Sequence, residues 1–220
     1  MKKIKLFLII FLLLFGIKGY NQNSKIDFGI VAGPAYTYLT APENKSLNKY
    51  PRVAFSSGIF IELKLSDKIN YSSELLFERK STLTKLLGQM WIDEGNRPSD
   101  VYSKQHFDYL TVPVSLKYEL LEKQKIYFKA GAYIGYLLSS HGVIANSQHN
   151  AGEHYNRTSN YKKLDFGFLF SMGKQLMIND KKYLLFEFRY NLGMINIHQR
   201  TDQSVKTNSF VFLIGMGNLF

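Results

Sequence analysis

Ser209-Phe-Val-Phe-Leu-Ile-Gly-Met-Gly-Asn-Leu-Phe220 closes the sequence on an apolar stretch that ends in an aromatic residue. Side chains of an extended chain alternate sides. Phe210, Phe212, Ile214 and Met216 therefore share one face, and Val211, Leu213, Gly215 and Gly217 share the other. One face is bulky and the other slim. That pattern suits the closing strand of a membrane barrel, with the bulky side toward lipid and Gly215 and Gly217 making room for inward charges from neighbouring strands.

The opposite end has the character of a secretory signal. Lys2, Lys3 and Lys5 precede an apolar run over residues 6–17, and Gly19 stands where cleavage is expected. Twelve apolar residues fall short of the roughly 20 that cross a bilayer as a helix. Residues 1–19 are thus expected to be a cleaved signal peptide and residues 20–220 a single barrel domain. Net charge is +11, of which Lys2, Lys3, Lys5 and Lys18 supply four, leaving +7 from Tyr20 onward. In an exported chain that excess suits attraction to anionic lipid or lipopolysaccharide, or plain solubility, without calling for nucleic acid. There is no cysteine, hence no disulfide framework and no thiol for a lipid anchor.

Beyond the signal no apolar run is long enough for a spanning helix, so a membrane location requires a closed barrel. Eight alternating segments follow: residues 25–39, 52–65, 69–82, 106–120, 125–139, 161–177, 182–197 and the closing one. The fourth sets Leu110, Val112, Val114, Leu116 and Tyr118 against Thr111, Ser115, Lys117 and Glu119, and the seventh sets Leu184, Phe186, Phe188 and Tyr190 against Glu187, Arg189 and Asn191. The third is less regular, with Leu76 on the polar face and Arg79 on the apolar one. Connections alternate between short (residues 66–68, 121–124, 178–181) and long (40–51, 83–105, 141–160, 198–205). Short periplasmic turns and long external loops are the rhythm of an outer-membrane barrel. A soluble lipocalin-like barrel would invert the faces. The expected fold is an all-β, eight-stranded, antiparallel up-and-down transmembrane barrel. Within the second long loop, Leu86, Leu87, Met90 and Trp91 suggest one or two helical turns.

The polar faces carry Asp27, Glu62, Glu74, Glu78, Glu119, Asp165 and Glu187, together with Lys64, Lys117, Lys129 and Arg189. Buried charges persist when paired, and eight strands leave an interior just wide enough for side chains to fill. A cross-barrel ionic network and a plugged interior are expected. Glu74 and Glu78 share a face, as a catalytic carboxylate pair would. Such pairs also arise wherever polar positions fill a narrow barrel, and the sequence has no serine elbow, phosphate loop or metal-ligand spacing. No catalytic, cofactor or metal residue is assigned. His106, His141, His149, His154 and His198 gather at the loop end without a ligand motif, as solvated loop residues do.

Residues 108–120, DYLTVPVSLKYEL, resemble the YLxxPxxLKY strand of the small outer-membrane β-barrel proteins of Bacteroidota, the porin-family or PorT-like proteins, and residues 128–135, FKAGAYIG, resemble their following strand. The resemblance implies a multi-pass protein of the cell outer membrane, folded by the barrel-assembly machinery with Phe220 as its recognition signal. Some relatives serve type IX secretion and gliding, so envelope or secretion-complex proteins are possible partners. Pro113, lacking an N–H, is expected inward at a bulge or bend. The function that follows is a non-enzymatic barrel acting structurally or docking a partner through its loops. A secretion or assembly accessory and a small porin are the alternatives.

Overall fold

A computed structural model describes residues 26–40, 47–92, 98–121, 125–146, 153–199 and 204–219. Its strands are β1 Ile26–Thr40, β2 Leu47–Lys64, β3 Ile69–Ile92, β4 Pro98–Leu121, β5 Ile126–Asn146, β6 Glu153–Asn156, β7 Leu164–Met177, β8 Lys182–Gly193 and β9 Lys206–Leu219. Eight of them close an antiparallel ring in the order β1, β2, β3, β4, β5, β7, β8, β9, with β9 returning to β1 from Asp27↔Leu219 to Thr40↔Lys206. Closure leaves the ring no open sheet edge, which hydrocarbon would not tolerate.

The period-two pattern sorts the two sides of the wall. Ile30, Ile59, Leu116, Ile134, Phe170, Phe188 and Ile214 stand exposed on the outside. In water this girdle would be a large apolar patch; against lipid it is the matching surface. On β1 the outward row runs from Ile26 to Tyr36, about 33 Å of strand, or about 25 Å of height after a tilt of about 40°. Inside, rings on one strand cover glycines directly opposite. Tyr127 lies over Gly173, Tyr133 over Gly167 and Tyr183 over Gly217, so that a Cβ at any of these glycines would enter the ring. The space left by Gly215 and Gly217 is thus taken by Val31, Leu185 and Tyr183 rather than by charges.

Several elements depart from the sequence-based expectation, and residues 47–51, 98–105 and 141–146, expected in the long connections, are strand. Residues 83–92 form no helical turn; β3 continues through them as strand. There the chain pairs with β4 from Leu83↔Lys104 to Leu86↔Val101 and, after a bulge, from Met90 to Ile92. Regular pairing with β4 satisfies the backbone that a helix would have satisfied locally. Pro113 is inward and marks no bulge. Opposite it the β3–β4 pairing lapses between Ser73↔Val114 and Leu76↔Thr111 without a change of register, while β5 continues to pair at Pro113↔Tyr133. The seventh segment ends at Gly193 rather than at residue 197, and the sixth begins at Leu164.

On one side the wall stands taller. β3, β4 and β5 run on past the other strands, and β6 adds a short strand to the outer part of β5 at His141↔Asn156 through Ile144↔Glu153. β2 carries a bulge between Pro51 and Ser56. There the Thr37 hydroxyl enters the gap, accepting the Ser81 N–H and donating to the Ser81 carbonyl, both at 2.7 Å.

Candidate functional site

The interior is the largest concentration of buried chemistry. Its centre is six charges: Glu62, Glu74 and Glu187 against Lys117, Lys129 and Arg189, all buried and formally neutral in sum. Alternation turns them inward from five strands of the ring: Glu62 from β2, Glu74 from β3, Lys117 from β4, Lys129 from β5, Glu187 and Arg189 from β8. Arg189 holds Glu74 in a two-pronged pair at 2.7 and 2.8 Å and also reaches Glu187 through Nε at 2.8 Å. Lys129 sits among three carboxylates, Glu62 at 3.1 Å, Glu187 at 3.2 Å and Glu74 at 3.4 Å. Lys117 meets Glu62 at 2.7 Å. The Tyr127 ring lies 4.6 Å from the Lys117 ammonium, and its hydroxyl donates to Glu187 at 3.0 Å. Six desolvated charges are tolerable because every one meets opposite charge at bonding distance.

A second group lies toward the outer end. Lys80 binds Asp165 and Thr207, both at 2.9 Å, between the faces of Tyr109 and Tyr133. Glu78 accepts from Thr111 at 2.8 Å and Asn191 at 3.4 Å. Lys80 was not among the sequence candidates, although it lies two residues beyond Glu78 on the same face of β3, where period two alone reaches it. Glu74 and Glu78 are thus held by different partners and form no acid–base pair facing a cleft.

The remaining candidates sit at the end of the short turns. Asp27 accepts from the Tyr183 hydroxyl at 3.4 Å, and Glu119 accepts from Asn70 at 3.1 Å and faces Lys125 at 3.7 Å. Lys64 lies outside the buried cluster; it is exposed and pairs with exposed Asp67 at 3.0 Å, because β2 ends there at a turn in water. These groups rim a vestibule of about 460 Å³, floored by Glu62 and Tyr183.

At the outer end the interior turns apolar. Phe107, Tyr109 and Leu137 from the wall pack with Tyr161, Ile197 and Val205 from the connections. Tyr161 stacks edge-on to Phe107 at 4.8 Å and to His198 at 5.3 Å. Backbone bonds from Lys162 to Ile197 and from Ile197 to Val205 tie the two connections over the mouth. Of the histidines, His106 pairs across the outside of the wall with His141, His154 lies on β6, and His149 lies outside the described residues. Among the described residues no group of three His, Cys, Asp or Glu side chains is placed to hold a metal ion. Phe220 and the expected signal, residues 1–19, also lie outside the described residues.

Residues 19–199 match the family described as outer membrane protein beta-barrel domain. No curated protein matches the chain. Among solved structures, the attachment invasion locus protein Ail of Yersinia pestis, in complex with the heparin analogue sucrose octasulfate, aligns at 12% identity and TM-score 0.44 over 89% of this chain and 99% of that one. Neisserial surface protein A aligns at 12% and 0.44 over 88% and 97%. OprG from Pseudomonas aeruginosa aligns at 11% and 0.41 over 88% and 95%.

Proposed function

Because this chain belongs to the outer membrane protein beta-barrel domain family, we propose that it is a non-conducting barrel of the outer membrane that acts as a structural or partner-docking component of the envelope through its external end. The observation that carries this reading is the ionic and apolar filling of the lumen. Arg189 and Glu74 bridge it from opposite strands, and Tyr161 and Ile197 cover its outer mouth. A barrel filled in this way works by its surfaces, of which the tall wall of β3, β4, β5 and β6 reaches farthest. In the same reading residues 1–19 are removed on export, residues 20–220 form the barrel, and Phe220 is its assembly signal. An accessory role in a secretion or assembly complex is the narrower form of this proposal. A small porin would require the six-charge cluster to part.

The test is cross-linking in intact cells. The full chain is expected to give discrete adducts with other envelope proteins, and replacing residues 87–99 by a tight turn, which trims the top of the tall wall, is expected to abolish them. Unchanged adducts in the trimmed variant would overturn docking through this end.

A further inference from the structure

Toward the outer end of the lumen, beside the Lys80–Asp165 pair, several polar atoms have no partner in the wall. Asp165 accepts from Lys80 at 2.9 Å and from Thr207 at 2.6 Å through one oxygen, and its Oδ1 is unpartnered. The hydroxyls of Tyr109 and Tyr133, whose rings lie about the Lys80 ammonium, are unpartnered as well. Thr207, beside Tyr133, already donates its proton to Asp165 and accepts from Lys80. Tyr109, Tyr133 and Asp165 are each no more than 2% exposed, so bulk solvent does not reach them. Buried polar groups nearly always find a partner in protein or in ordered water.

The register brings space to the same place. Gly135 stands between Thr111 of β4 and Asp165 of β7. A Cβ on Gly135 would meet nothing nearer than the Tyr109 ring at 3.3 Å, with Asp165 Cβ and Thr111 Oγ1 at 3.5 Å. At Gly131, Gly167 and Gly173 it would overlap a neighbour. Gly135 therefore opens a hollow walled by Tyr109, Thr111 and Asp165, about the size of a methyl group and so of one water.

We propose that this hollow is a binding site for an ordered internal water, which donates to Asp165 Oδ1 and accepts from the Tyr109 hydroxyl. The balance of donors and acceptors selects it. Among the described residues three protons here lack an acceptor, on Tyr109, on Tyr133 and on the third N–H of Lys80, against one unpartnered acceptor, Asp165 Oδ1. A cation would leave all of those protons unmet and would stand beside an ammonium. An anion would face two carboxylates, Asp165 and Glu78, the latter bonded by Thr111 at 2.8 Å. Water is neutral, accepts and donates, and is held where two to four polar partners converge. It completes the bonding of the Lys80–Asp165 pair in the low dielectric of the lumen, where an orphan atom is costly. The inference goes beyond docking and does not depend on it, since the site is built from inward residues of β4, β5 and β7.

The test is a set of crystal structures of the full chain grown from a rubidium salt: wild type, Gly135→Ala and Tyr109→Phe. Wild type is expected to show an ordered peak within hydrogen-bonding distance of Asp165 Oδ1 and the Tyr109 hydroxyl, without rubidium anomalous scattering. In Gly135→Ala the methyl takes its place, and the peak is expected to be lost. Tyr109→Phe keeps the ring and removes one partner; it is expected to lower the occupancy, and it serves if the alanine variant does not fold. Rubidium scattering at the peak would overturn the proposal in favour of a cation. So would a direct Tyr109–Asp165 bond with no peak between them, or a peak unchanged in whichever variants fold.

Discussion

Arg189 on β8 and Glu74 on β3 meet from strands four places apart in a ring of eight, Nη1 to Oε2 at 2.8 Å and Nη2 to Oε1 at 2.7 Å. The pair therefore spans the barrel's diameter. A guanidinium is the group suited to this, since its planar fork holds one carboxylate with two bonds and still reaches Glu187. Lys129, three places from Glu62, makes a second chord.

Arg189→Met is expected to destabilise the barrel by about 3–5 kcal/mol, because it leaves Glu74 and Glu187 buried with less positive charge around them. Urea unfolding of the lipid-reconstituted protein measures it. Adding Glu74→Gln and Glu187→Gln to the variant is expected to recover much of the loss, since the uncompensated charge is then gone. A triple variant no more stable than the single one would show that the charges matter less than the packing.

The Arg79–Asp108 pair gives the contrasting case. It has shorter bonds than most of the interior, yet Arg79 is 39% exposed. Solvent screening limits such pairs to about 1 kcal/mol or less. Asp108→Asn is expected to shift the unfolding midpoint by no more than that, and a loss near that of Arg189→Met would contradict the distinction between wall and lumen.

Gly173 lies under the Tyr127 ring, so Gly173→Val must displace it. Overpacking of this kind costs about 1–3 kcal/mol. The displaced ring also carries its hydroxyl away from Glu187. Tyr127→Phe keeps the ring and removes that bond alone. It is expected to be the milder change by thermal unfolding; the reverse order would place the weight on the hydroxyl.

His106 stands above the girdle, its Nδ1 2.7 Å from the Ser81 hydroxyl. Burial, then the nearby Arg79 and Arg52 guanidinium groups, hold its pKa below the ordinary imidazole value. The ring is neutral in both states well above about pH 6.5; as pH falls through that value the unfolded chain protonates first, so stability falls until the folded ring is protonated too. An NMR titration is expected to place His106 below the ordinary imidazole value. His106→Gln is expected to flatten the stability slope over that window, and a titration at or above the ordinary value would contradict the geometry.

Much of the ring was legible because lipid outside and charge inside sharpen the period-two pattern. The rows from Leu110 to Leu120 and from Leu184 to Tyr190 declare their faces residue by residue. Leu76 and Arg79, which break the pattern, are both consistent with it in three dimensions: Leu76 packs inside with Phe60 and Leu185, and Arg79 meets Asp108 at the top of the girdle. The strand over residues 83–92 was not legible, since local apolar spacing cannot report a partner supplied by β4. Lys80 escaped for another reason. Its partners, Asp165 and Thr207, lie on β7 and β9, and only closure of the ring brings them to it. Lys64 shares the inward face by parity but lies where the wall ends, and parity carries no information about height.

Closure of the lumen is decided by planar-bilayer recording of the purified full chain. The six-charge cluster and the cap of Phe107, Tyr161 and Ile197 predict insertion without stable unit conductance, and R189M/K129M is expected to leave the outer cap in place. Reproducible single-channel steps from wild-type monomer would contradict the closed interior and return the protein to the porins.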